Sequence, residues 1–133
     1  MKRIVILYLV TLLVMVPIDL LFLSVVAKGL FTSQVGDMLG TVKLAPAIVF
    51  YLLYVAGILI FVSATAGATW QSSLLYGALF GFFCYMTFEL TNMSLLKQWS
   101  WIVVVVDITW GTFVTAVAST LGLLIANWIA ARI

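Results

Sequence analysis

Histidine is missing from this 133-residue chain, and cysteine occurs once, as Cys84. A lone cysteine closes no intrachain disulfide, and neither a CxxC pair nor a Cys/His zinc pattern can be assembled. Triads that use histidine as general base are excluded for the same reason. Charge is scarce as well. Asp, Glu, Lys and Arg together make up 8% of the chain, where soluble domains carry about 25%. The net charge of +2 is too small and too scattered to attract nucleic acid. What fills the sequence is apolar: 66% of its residues are hydrophobic. A chain of this composition needs lipid around it, which makes it an integral membrane protein.

A membrane-spanning helix needs about 20 mostly apolar residues. Four stretches meet or approach that length: residues 4–26, 44–65, 72–90 and 101–125. The connection from Ala27 to Lys43 is longer and polar, the one at Trp70-Gln71 very short, and the one from Thr91 to Ser100 short. Short connections make successive helices antiparallel neighbours. The expected architecture is therefore all-α, one transmembrane four-helix bundle spanning residues 1–133, with the lipid bilayer as its first partner. Lys2-Arg3 before an apolar run resembles a secretory leader, but the run is too long for one and Asp19 interrupts it. Lys2, Arg3 and Arg132 lie on the side of the termini, and Lys28, Lys43 and Lys97 on the other. That tie permits either orientation. The weight usually given to the first helix favours termini in the cytoplasm. Trp99 and Trp101 suit one membrane interface, Trp70 and Trp128 the other, and Trp110 should lie well inside.

Three acids fall within the spans: Asp19, Glu89 and Asp107, whereas Asp37 is in a connection. A carboxylate at the centre of a spanning helix costs roughly 3 kcal/mol even on lenient scales, so such residues face the bundle interior and mark a site by default. At about 1.5 Å per residue, Asp19 and Asp107 each lie about 10 Å from the side carrying the two longer connections. Glu89 is nearer that surface, at the end of its span, where Thr91 and Asn92 are placed to satisfy the last carbonyls. All three occupy one half of the bilayer. Tyr51 and Tyr54 reach a similar depth. Tyr85 precedes Glu89 by four residues, and Trp110 follows Asp107 by three, spacings that share a helix face. Small residues line the same faces: Gly77 and Gly81 ahead of Tyr85, then Gly111, Thr115 and Ser119 beyond Asp107, with Ala118, Gly122 and Ala126 as a second row. Such rows let membrane helices pack closely.

The expected site is a polar layer of Asp19, Glu89, Asp107, Asn92, Tyr51, Tyr54, Tyr85 and Trp110. Carboxylates and phenols hold hard cations or protons through oxygen, and they also suit an organic cation or a polar lipid group. Paired acids can do acid–base work, but no nucleophile has an activating partner here, so the residues do not favour an enzyme. No catalytic residue can be named from the sequence, and no metal centre or cofactor is expected. The bland alternative is a polar network that only sets helix register.

The segments "DLLFL" from Asp19, "FYLLYVAG" from Phe50, "YGALFGFFCYMTFELTN" from Tyr76, "LLKQW" from Leu95 and "VDITWG" from Val106 occur in this order. Together they resemble a family of small four-span bacterial membrane proteins classed as a domain of unknown function. In that family the acid before Leu-Thr-Asn is often Asp. Glu89 keeps the charge on a longer arm. The short second connection often carries arginines there and reads "GATWQSS" here. The resemblance implies an inner-membrane location and no established activity. Three functions stand open: a binding or transport-type protein for a small cation, proton or polar lipid group; a lipid-modifying enzyme or its accessory subunit; and a structural subunit. A homodimer would help the first, since one short bundle encloses little volume.

Overall fold

The computed structural model describes residues 2–35 and 43–133; Asp37 lies outside them. Among the described residues there is no strand, and four helices are long and apolar enough to cross a membrane: Lys2–Gln34, Leu44–Ser63, Trp70–Leu95 and Trp101–Ala130. The chain is an all-α, multi-pass membrane protein.

Local chemistry explains where the helices begin. Thr69 and Ser72 form a reciprocal capping box at the third helix: the Ser72 amide donates to Thr69 Oγ1 over 3.1 Å, and the Thr69 amide to Ser72 Oγ over 2.9 Å. Ser100 caps the fourth helix by accepting from the Val103 amide. Each satisfies a backbone donor that the helix itself leaves open. Pro46 sits in the first turn of the second helix, where a missing amide hydrogen costs nothing. Pro17 lies inside the first helix and removes one of its hydrogen bonds. Wider π-type turns follow at Leu23–Ala27 and Leu59–Ser63.

Three helices run further than hydropathy suggests. The first continues through Gln34, across residues expected to form a connection, because nothing after Ala27 breaks it and Phe31 packs on Trp99 with ring centroids 6.1 Å apart. The third runs to Leu95, so Thr91 and Asn92 lie within the helix and do not terminate it. The fourth reaches Ala130.

The third and fourth helices pack most extensively, followed by the first and fourth. Glycine makes this possible. A Cβ on Gly77 would stand 2.7 Å from Ser119 Oγ; one on Gly81 would clash with the Gly111 carbonyl and Thr115; one on Gly122 would clash with Thr11. Arg3 donates to Asn127 Oδ1 over 2.8 Å and joins the ends of the first and fourth helices. The second helix is attached differently. It meets the third and fourth helices mainly through Leu59–Ser63, and three tyrosines fasten it: Tyr8 donates to the Leu52 carbonyl over 2.8 Å, Tyr51 bonds Asp19, and Tyr54 bonds Thr115 Oγ1 over 2.7 Å. Its N-terminal half stands away from the third and fourth helices. The outer surface is apolar, with Leu13, Leu53, Ile60 and Phe83 turned outward, as a lipid-facing surface requires.

Candidate functional site

The gap beside the N-terminal half of the second helix is a cavity of about 560 Å³. Residues from all four helices line it, and all come from the half of the bundle opposite the termini. Asp19 and Asp107 are on its wall, and no Lys or Arg is among the lining residues.

Asp19 is held from two sides. Tyr51, on the second helix, donates its hydroxyl to Oδ2. Trp110, on the fourth, donates its indole N–H to Oδ1 over 2.7 Å. Trp110 in turn stacks on Phe22, with centroids 4.2 Å apart and ring planes at 6°. Both carboxylate oxygens are thus satisfied, but by neutral donors, and among the described residues no Lys or Arg bonds Asp19. Only 5% of Asp19 is exposed.

Glu89 is fully buried and stands behind the cavity wall. Its Oε1 accepts the Trp99 indole N–H over 2.7 Å, while Oε2 has no hydrogen-bond donor among the described residues. Asp107, on the fourth helix, is its neighbouring acid. Asp107 is half-buried and turned to the cavity. The acids therefore form a lone carboxylate, Asp19, and a carboxyl pair, Glu89–Asp107, on two sides of one chamber.

Tyr54 and Tyr85 complete the polar wall. Their rings meet edge to face at 6.1 Å. Tyr85 sits over Gly111, where any Cβ would penetrate its ring. The side chains expected to share a layer are distributed as follows. Asp19, Asp107, Tyr51, Tyr54, Tyr85 and Trp110 line the cavity, Glu89 backs it, and Asn92 lies off the wall, part-exposed and a turn further along the third helix.

One important group is invisible to sequence spacing. Trp99, expected at the membrane interface, turns inward, lines the cavity and anchors on Glu89. It belongs to a connection, where helical periodicity gives no direction. The only hint is that "LLKQW" returns the chain past the end of the third helix toward the acid it follows. The aromatic residues Phe22 and Phe50 also line the wall. Trp101, Trp70 and Trp128 are exposed at the helix ends, consistent with interfacial anchors.

Chemically, the arrangement concentrates carboxyl groups in a partly enclosed space, with the Cys84 thiol also on its wall. No curated protein and no solved structure gives a significant match to the chain. The family described as "Predicted membrane protein (DUF2177)" matches residues 4–124, nearly the whole chain, and the protein belongs to that family.

Proposed function

We propose that the protein is an intramembrane cation-binding protein that holds its ligand between Asp19 and Asp107. The observation that carries this reading is the charge imbalance of the chamber: two carboxyls on the wall, a third behind it, and no Lys or Arg among the described lining residues. A charged carboxylate in a bilayer is costly, and an entering cation supplies the opposite charge that the neutral donors on Asp19 do not. A cation arriving at Asp107 competes with a proton for that carboxyl. Such exchange suits a transport-type role.

We place the protein in a bacterial inner membrane with its termini in the cytoplasm, an orientation that Lys2 and Arg3 support. The cavity then belongs to the outer leaflet.

The test is ligand-dependent stability. Purified protein would be unfolded with and without sodium, calcium and tetramethylammonium. A ligand at a hundredfold excess over its dissociation constant stabilises by about 2.7 kcal/mol. That gain should appear for wild type with at least one cation and disappear in the Asp19→Asn/Asp107→Asn double variant. Equal behaviour of the two proteins with every cation would reject the reading.

A further inference from the structure

The cation reading can be narrowed by the walls around the acids. Apart from its carboxyls and tyrosine hydroxyls, the cavity is walled mostly by aromatic rings, with Leu23, Ala47 and Cys84 between them. Phe22 and Trp110 are stacked; Phe50 and Tyr54 are stacked at 5.2 Å with planes 25° apart; Tyr54 and Tyr85 meet edge to face. Trp99 closes the same wall, held by Glu89. A metal ion asks for something else. Calcium takes six to eight oxygens and magnesium a tight octahedron, and among the described residues no three Asp, Glu, Cys or His side chains converge to hold one. Both Asp19 oxygens already receive donors, which leaves that carboxylate better placed to act as a nearby counter-charge than as a ligating atom. The chamber, at about 560 Å³, falls in the range of organic-ligand sites and is far larger than a bare ion needs.

We propose that the cavity takes an organic ammonium group, its positive charge set against aromatic faces and countered by Asp19 and the Glu89–Asp107 pair. The inference rests on the cation reading above. Rings facing a desolvated ammonium attract it through their quadrupoles, and aromatic cages are the recurrent solution for quaternary ammonium groups. The mouth of the cavity indicates the route. Phe50, on the second helix, and Phe88, on the third, both line the cavity and are 43% and 54% exposed on the surface of the bundle. Both lie within the apolar part of their helices, so the opening faces lipid. An ammonium carried on a lipid headgroup and a free alkylammonium share this chemistry, and the experiment separates them.

The full-length protein, with the exposed Trp70, Trp101 and Trp128 replaced by Phe, reports the cavity through the fluorescence of Trp99 and Trp110. It would be titrated in detergent with tetramethylammonium chloride, with sodium chloride, and with short-chain phosphatidylethanolamine or phosphatidylglycerol. The expected result is a saturable change with tetramethylammonium at a concentration at least about tenfold below that for sodium. A response to phosphatidylethanolamine and not phosphatidylglycerol assigns the headgroup. A response to tetramethylammonium and to neither lipid assigns the free cation. Asp19→Asn should weaken the ammonium response about tenfold. Phe50→Leu, which removes one ring of the wall, should weaken it about threefold, with the fold checked by circular dichroism. A sodium response as tight as that of tetramethylammonium, or an ammonium response untouched by both substitutions, overturns the ammonium assignment and leaves the cation reading standing. Silence toward every cation in the folded protein removes both.

Discussion

The indole N–H of Trp99 reaches back to Glu89 Oε1 across 2.7 Å, so a residue beyond the end of the third helix is fixed by an acid buried inside it. The contact joins a carboxylate that would otherwise be almost unpaired to a ring that forms part of the cavity wall. Trp99→Phe keeps the ring and removes the donor. The buried carboxyl then loses its indole partner, and stability should fall by about 1–3 kcal/mol. Glu89→Gln keeps an acceptor for the indole and should cost less. Unfolding of the two variants in detergent checks the order; a neutral Trp99→Phe would show that the contact does not hold the connection in place.

Tyr51 and Asp19 tie the second helix to the first on the cavity's edge. Because this helix has few other attachments near its N-terminal end, the bond should be worth more than its exposure suggests. A double-mutant cycle with Tyr51→Phe and Asp19→Asn should give a coupling of at least about 1 kcal/mol, within the range of residues in direct contact. Additive losses would contradict it.

The glycines make a graded prediction. At Gly111 an added Cβ would enter the Tyr85 ring, at Gly57 it would meet only the edge of Phe80 at 3.1 Å, and at Gly29 nothing lies within 4 Å. Gly111→Ala should therefore cost about 1–3 kcal/mol by overpacking and disturb the cavity wall. Gly57→Ala should be milder. Gly29→Ala should stabilise by up to about 1 kcal/mol, the usual gain of Ala over Gly in a helix. Thermal unfolding of the three variants tests the ranking.

The capping box at the third helix offers a control remote from the acids. Thr69→Ala removes one of its two bonds and should cost about 1 kcal/mol while leaving cation-dependent stabilisation intact. Loss of that stabilisation in Thr69→Ala would mean that the ligand acts through global stability and not through the cavity.

Much of this is legible in the sequence alone. Scarce charge and four apolar runs define the bundle, and the depth of Asp19 and Asp107 follows from counting residues along each span. The three- and four-residue spacings that put Tyr85 and Trp110 on acid-bearing faces rest on the same helical geometry. The helix ends were less legible. Polar residues such as Thr91 and Asn92 resemble a span's exit in hydropathy, yet they continue a helix whose hydrogen bonds do not depend on apolar side chains. The inward turn of Trp99 was scarcely legible, because a connecting segment has no periodicity and its direction is decided by a tertiary partner, Glu89. The gap beside the second helix is equally a product of packing: Tyr51 and Tyr54 reach across it, and no spacing along one helix reports a distance between two.

The central claim is that Asp19 and Asp107 receive a cation. Infrared difference spectroscopy of the purified protein, with sodium, calcium or tetramethylammonium added in turn, observes those groups directly. The account predicts that at least one cation shifts the carboxyl and carboxylate bands, and that the shift is lost in the Asp19→Asn/Asp107→Asn double variant. Bands unchanged by all three cations, or a shift that survives in the double variant, would contradict it.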